Sequence, residues 1–425
     1  MRITFLNQCF YPDVAATGQL LTDVAVALAE RGHEVTVITG SRGYDNPQIR
    51  FAKRERWQGI DVVRLPSSAF GKKARWRRAL DFATLLIVYA LRLTITPRQD
   101  VVVALTSPPL IAFVASLFAQ VKGERFVYWI MDLNPDEALA AGWLREDTLI
   151  TRLLDGFQNF ALRRAQPVVA LDRFMHARIA SKGISPERLE VVRLWPHDAV
   201  AFDQSGRRSF RLKHQLDEKF VVMYAGNHSP CHPLETLLKA ADQLRDQTGI
   251  VFCFVGGGSE TGTVKQFAAA RSLENILCLP YQPREELAAS LSAADLHVVV
   301  MGEPFVGIVH PCKIYNVLRV ASPFLYIGPA ESHVTDLVRQ MNGDVQAYVA
   351  EHGAVNHVAQ QISDAATRHG TRPSRKTAIT IPGDGLEKLI EIIEATGASA
   401  AEDDAMAANS RQRRRPSSVN TADAN

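Results

Sequence analysis

The chain has 425 residues, of which 47% are hydrophobic, and a formal net charge of +3 at pH 7. A single domain usually stops growing at about 250 to 300 residues, so this length is expected to divide between two cores. So mild a charge, with Lys and Arg clustered instead of spread, gives no footing to a nucleic-acid partner. The five cysteines, Cys9, Cys231, Cys253, Cys278 and Cys312, are odd in number and lie mostly at apolar or motif positions, which suits a reducing compartment. Residues 1 to 10 carry one early Arg and no long apolar core, so no secretory leader is expected.

In chain order, residues 1 to 7 read as a buried strand. Leu20, Val24 and Leu28 recur at helical spacing, Gly32 ends that helix, and residues 33 to 39 give the next strand. Thr17 and Gly18 stand at the helix entrance. Gly18 reads either as a simple entry residue or as backbone left bare for a substrate anion. The spaced glycines of a dinucleotide fingerprint are absent. Lys72, Lys73, Arg75, Arg77 and Arg78 then surround Trp76, ahead of an almost wholly apolar run from 79 to 93. Fifteen helical residues span about 22 Å, short of the ~20 residues a bilayer crossing needs, so an interfacial helix on anionic lipid is expected. The plainer reading is a helix packed on the sheet with a solvated basic loop.

Residues 100 to 105 and 125 to 131 read as strands, the second delivering Asp132-Leu-Asn-Pro-Asp136-Glu137 at its carboxyl end. Asp132 is a candidate site residue or the cap of the next helix. Residues 167 to 171 supply another strand, with Asp172 opening a helix. The first domain is assigned to 1–200, a polar, irregular linker to 201–217 and the second domain to 218–395. A tail rich in Ala, Asp, Ser and Asn, 396–425, is expected to be disordered.

The second half begins with a strand running into Gly226-Asn-His228-Ser-Pro-Cys231-His232, and a later strand runs into Gly256-Gly257-Gly258. Glycines after a buried strand let backbone approach a ligand. Residues 295 to 328 read as strand, loop, helix, strand, with Lys313 near the helix N-terminus, which outlines a diphosphate site.

The segment Pro311-Cys-Lys313-Ile-Tyr-Asn316, followed by Pro323-Phe-Leu, resembles the Pro-Ser-Lys-x-x-Glu…Pro-Val-x segment of family 4 nucleotide-sugar glycosyltransferases with the GT-B fold. Trp129-Ile-Met-Asp132-Leu-Asn-Pro matches that family's Trp-x-x-Asp-Leu-x-Pro, with Met131 where many relatives carry His. The 226–232 loop resembles its Gly-Arg-x-x-x-x-Lys-Gly loop, with Asn227 and His232 in place of the two cations. The resemblance extends over roughly residues 1 to 345. It implies an α/β protein of two doubly wound, Rossmann-like domains facing across a cleft. It further implies transfer of a sugar, with retention, from a nucleotide diphosphate donor, without metal or other cofactor. On this reading Asp132 and Glu303 are catalytic. Gly226, His228, His232, Gly256, Gly257, Lys313 and Asn316 hold the donor, and Thr17 and Gly18 face the acceptor. Membrane contact through Lys72, Lys73, Arg75, Trp76, Arg77 and Arg78 would favour a lipid-linked acceptor in polysaccharide or glycolipid synthesis. The protein would then be cytoplasmic, peripheral on the inner face of the plasma membrane. An epimerase of the same fold and a non-catalytic subunit are the rival readings. A zinc site built from His228, Cys231, His232, His310 and Cys312 is weighed against histidines that hydrogen-bond the phosphates, and the second is preferred because the spacings match no zinc motif.

Overall fold

The computed structural model describes all residues except 14, 45, 69, 71–74, 196–199, 342–344, 369–383 and 414–425. Apolar runs become strands with both faces covered, as in β5 (Val101–Ala104) and β12 (Leu296–Val300), where every residue is buried. In the first sheet these join β1 (Arg2–Leu6), β2 (Glu34–Gly40), β3 (Arg54–Trp57), β4 (Ile60–Leu65), β6 (Arg125–Trp129), β7 (Val168–Ala170) and β8 (Leu189–Val191). Their order is β3-β4-β2-β1-β5-β6-β7-β8, parallel apart from the β3–β4 hairpin. That hairpin escapes sequence reading because Arg54-Glu-Arg56 is charged and exposed. Its turn, Gln58-Gly59, has both residues at positive φ, the geometry that suits a two-residue hairpin. In the second sheet, β9 (Phe220–Asn227), β10 (Ile250–Gly257), β11 (Ile276–Leu279), β13 (Phe324–Ile327) and β14 (Ala347–Ala350) run in the order β11-β10-β9-β12-β13-β14, all parallel.

Helices cover the sheets: α1 (Ala16–Glu30), α2 (Arg75–Ile95), α3 (Ile111–Lys122), α4 (Asp136–Ala140), α5 (Leu149–Arg164) and α6 (Arg173–Ser181) in the first half of the chain. In the second come α7 (Gln204–Lys213), α8 (Glu235–Gln243), α9 (Thr261–Ala270), α10 (Leu287–Ser292), α11 (Lys313–Arg319), α12 (His333–Gln340), α13 (Val355–Thr367) and α14 (Gly385–Arg413). The helix α2 has two apolar faces. Leu85, Tyr89 and Leu93 are buried, and the Tyr89 hydroxyl donates to the Asn7 and Ile38 carbonyls at the sheet's carboxyl edge, while Trp76, Leu80, Ile87, Leu91 and Ile95 face outward. Lys72 and Lys73 lie outside the described residues.

Two boundaries differ from the sequence reading. The linker expected over 201–217 is mostly the helix α7. Asp203 caps it by accepting from the Gly206 N–H, and Arg207 and Arg211 reach the fully buried Asp295, so α7 belongs to the second domain. The last helix, numbered by the sequence reading within 218–395 although the family resemblance implies its return, packs on the first domain. Leu389, Ile390 and Ile393 are buried, the helix packs on α1, β5 and β6, and Glu387 and Glu394 pair with Arg31. The expected disordered tail from 396 is helical through Arg413, because its alanine-rich stretch favours helix, and residues 414–425 lie outside the described set.

Asp295 also accepts from the Val221 N–H at 2.8 Å. Removing it would leave two guanidiniums and a buried amide without their carboxylate. Asp295→Ala is expected to destabilise the protein by about 3 to 5 kcal/mol, read as a lower urea midpoint.

Candidate active site

The carboxyl ends of the two sheets face each other. On the first-domain side, β6 ends in Ile130-Met131-Asp132. Main chain from the two domains meets here: Asp132 forms an antiparallel bridge with Val309, and the Leu133 N–H donates to the Ile308 carbonyl at 2.9 Å. Asp132 does not cap α4, whose first turn follows Pro135 with no side-chain cap. Burial, then the neighbouring Glu137 carboxyl, pushes Asp132 well above the usual carboxylate range. Glu137 is itself raised by burial, with Arg78 pulling the other way. Sequence reading passes over Glu137. The signal for it is its place in the run that carries Asp132, and its Oε1 lies 3.8 Å from Cys231 Sγ of the facing domain. Arg78, expected on the membrane, thus acts electrostatically on the cleft.

Gly18 is buried, and a Cβ there would stand 3.1 Å from the Cys9 carbonyl carbon and 3.2 Å from the Phe10 nitrogen. The chain's own loop crowds this position, so a side chain here would have to push main chain aside by a few tenths of an ångström, and Thr17 beside it is half-buried. Glycine is required at Gly256, whose Cβ would meet the Gly226 carbonyl oxygen at 2.1 Å, whereas a Cβ at Gly257 would only press on the exposed Tyr281 ring at 3.1 Å.

On the second-domain side, Lys313 opens α11 and lies over Gly226, where a Cβ would stand 3.3 Å from its Nζ. Nζ donates to the Tyr224 hydroxyl at 2.6 Å and sits 3.9 Å from that ring's centroid. Among the described residues no carboxylate pairs with it, and burial lowers its pKa to about 7. His228 is 1% exposed, and neither ring nitrogen has a hydrogen-bond partner among the described residues. Burial, then Lys313, brings it down to about 4. His232 Nδ1 donates to the Val300 carbonyl at 2.7 Å, and burial holds this imidazole neutral too. Without donor, burial therefore favours neutral rings at both histidines; the Nδ1–H of His232 is committed to Val300, and a neutral His228 still has one ring N–H to offer a phosphate. Asn316, one turn on, is half-buried, and Glu303 is exposed in a 3₁₀ turn, Glu303–Phe305, beside the loop of Cys231. Val306 closes that turn and is followed by Gly307 at φ +71°, whose Cβ would lie 2.7 Å from the Phe174 carbonyl oxygen of the first domain. The five-residue zinc reading is not supported. Of its members only His310 joins a metal-capable cluster among the described residues, and its companions are Asp172 and His333.

Two doubly wound domains meeting at their carboxyl edges are the GT-B architecture. The protein whose crystal structure was determined with UDP and glucose, Alr3699/HepE from Anabaena, shares the fold at a TM-score of 0.62, with 16% identity, 95% of this chain and 99% of that chain covered. WaaG, a glycosyltransferase involved in lipopolysaccharide biosynthesis, gives a TM-score of 0.63 at 15% identity over 92% and 99%. The family model for a glycosyl transferase 4-like domain matches residues 17–195, and that for glycosyl transferases group 1 matches 206–309. WcaI of Escherichia coli (strain K12), assigned to colanic acid biosynthesis as a glycosyl transferase, is 25% identical over 357 residues, 81% of this chain and 87% of that protein. The chain belongs to the family 4 glycosyltransferases, which sets the epimerase reading aside.

The protonation of Lys313 governs one expected behaviour. Without donor it loses its charge near pH 7, and a bound diphosphate raises that value. Donor affinity is therefore expected to be full below about pH 7 and to fall as pH rises toward the bound-state value. Lys313→Ala should cost about 1.5 to 3 kcal/mol of donor binding and flatten this profile, both read by calorimetry.

Proposed function

We propose that this glycosyltransferase takes a sugar, with retention of configuration, from a nucleoside diphosphate donor in the second domain. The sugar passes to a lipid-linked acceptor that the first domain meets at an anionic membrane surface, as a step in cell-surface polysaccharide synthesis. The observation that carries the donor half is Lys313, a half-buried lysine without a carboxylate partner among the described residues, at the carboxyl edge of the second sheet. In the reaction the bond from the anomeric carbon to the diphosphate breaks, the diphosphate keeps the electron pair, and the acceptor hydroxyl bonds to that carbon while its proton passes to an oxygen of the departing diphosphate. Lys313 would offset the charge gathering on the diphosphate. Asp132, held protonated by its surroundings, would donate a hydrogen bond to a sugar or acceptor oxygen without placing a full negative charge near the leaving group. The solved relative that holds UDP and glucose supports a donor of this class.

The acceptor half rests on the outer face of three adjacent helices. Trp76, Ile87 and Leu91 of α2, Val121 of α3, and Leu149 and Ile150 of α5 are all exposed, and α2 packs on α3, which packs on α5. Exposed apolar side chains on helices that pack against one another suit an interaction face. Arg77 stands over the Trp76 ring at its edge. No helix among the described residues is long and apolar enough to cross a membrane, so a protein held by this face would lie on the bilayer. Among the described residues none of the five cysteines is in a disulfide, which fits the cytoplasmic side.

A UDP-sugar at a hundred times its dissociation constant should add about 2.7 kcal/mol of stability, and the absence of any thermal shift with every sugar nucleotide tried would sink the donor assignment. In liposome flotation, binding is expected to require anionic lipid, to weaken in high salt, and to be lost on Ile87→Glu with Leu91→Glu. Binding that ignores both changes would remove the membrane assignment and leave the donor site standing.

A further inference from the structure

The helix that carries Lys313 is short: seven residues, Lys313–Arg319, with no side-chain cap at its N-terminus. Helices under about 12 residues are marginal on their own in water, so its place must come from what it leans on. One support reaches it from the first domain. Asp172 follows β7 and caps α6, its Oδ1 accepting from the Phe174 and Met175 N–H groups at 2.9 and 2.8 Å. Its Oδ2 lies 2.8 Å from Nδ1 of His310, in the loop before α11, and Nε2 of that ring lies 2.9 Å from the Tyr315 hydroxyl. All three side chains are buried. The ring of His333, the first residue of α12, stacks on His310 with centroids 3.7 Å apart, and the Tyr315 ring lies nearly parallel to His310 at 5.8 Å.

The carboxylate sets the direction of the chain. Burial alone would raise Asp172, but the hydrogen bond from His310 outweighs it and brings the carboxyl down to about 2, so it is ionised and can only accept. Nδ1 of His310 therefore donates, and in the neutral ring Nε2 accepts the Tyr315 O–H. Hydroxyl, imidazole and carboxylate form one directional chain from α11 to the first domain.

We propose that Asp172, His310 and Tyr315 are positioning residues for the transfer: through this chain the first domain sets the rotation of α11, and with it the place of Lys313 at the donor diphosphate. Tyr315 stands two residues beyond Lys313, and at 3.6 residues per turn their side chains leave the helix about 200° apart. One side of the helix is held by His310, while on the other Lys313 reaches the Tyr224 hydroxyl at 2.6 Å. A grip on the first side fixes what the second presents. Without it a helix this short is free to roll, and a small displacement of the ammonium is enough to lose a charge-assisted contact with phosphate. Donor affinity thus depends on the docking of the two domains, although the donor itself lies in the second.

The inference rests on the reading of Lys313 as the donor cation, and a double-mutant cycle separates the two. UDP binding is measured by calorimetry on the full-length protein, on Lys313→Ala, Tyr315→Phe and Asp172→Asn, and on Lys313→Ala combined with each of the others. Tyr315→Phe keeps the ring stack and removes only the hydroxyl. Asp172→Asn keeps the α6 cap, but its amide N–H turns the imidazole to the other tautomer and takes away the acceptor of the Tyr315 O–H. Each is expected to weaken UDP binding roughly two- to tenfold, the worth of one hydrogen bond, and to weaken it no further once Lys313 is alanine. Equal losses with and without Lys313, which a general structural defect would give, overturn the positioning role, and so does unchanged affinity in both single variants. UDP binding that is absent from the wild type, or that survives Lys313→Ala undiminished, overturns the donor reading and this inference with it. Should Asp172→Asn fail to fold, the cycle on Tyr315→Phe decides.

Discussion

Everything at the cleft depends on main chain from one domain lying against main chain from the other. The Leu133 N–H reaches the Ile308 carbonyl, Asp132 bridges Val309, and Gly307 rests on the Phe174 carbonyl with no room for a side chain. These contacts need no side-chain ordering, and they set the distance between the two sheets' carboxyl edges to that of a hydrogen bond. A carboxyl pair on one wall and a lysine on the other are then brought within a few side-chain lengths of each other. The left-handed φ of Gly307 would strain any other residue, so this position is constrained twice over.

The charge economy of the site follows from that closeness. Burial disfavours the charged forms of His228, His232 and Lys313 on one wall and of Asp132 and Glu137 on the other, so the walls carry little net charge. A diphosphate entering such a site meets little competing charge and recharges Lys313 itself. Fixed arginines would bind more strongly at every pH. A nearly neutral wall with one titrating lysine responds to the anion it holds.

Much of the fold can be read from the sequence because buried parallel strands are written as unbroken apolar runs, as at Val101-Val-Val-Ala104 and Leu296-His-Val-Val-Val300, and glycines or prolines follow them. Asp132 and Lys313 could be named because each stands at a strand's end or a helix's beginning inside a motif. The reading fails where meaning depends on what lies opposite. Glu137 is an ordinary acidic residue until Cys231 and Asp132 stand beside it. Gly18 has the same letter whether a ligand or Cys9 fills the space above it. The helix α7 buries only Phe210 and Arg211, too few for periodicity to announce it, and its place is fixed by Asp295, more than eighty residues away. Nor does any spacing connect Asp172 with His310 and His333, since three separate elements deliver them.

The return of α14 to the first domain has a consequence for the order in which the protein is made. Leu389, Ile390 and Ile393 complete a core whose other members begin at Ile3, so the domain that leaves the ribosome first is the one finished last. The six-stranded domain, whose strands lie between Phe220 and Ala350, can close its sheet while the earlier domain still exposes the strip along α1, β5 and β6 that the final helix will cover. Until then that strip is apolar surface open to solvent, and an interrupted chain would carry it uncovered.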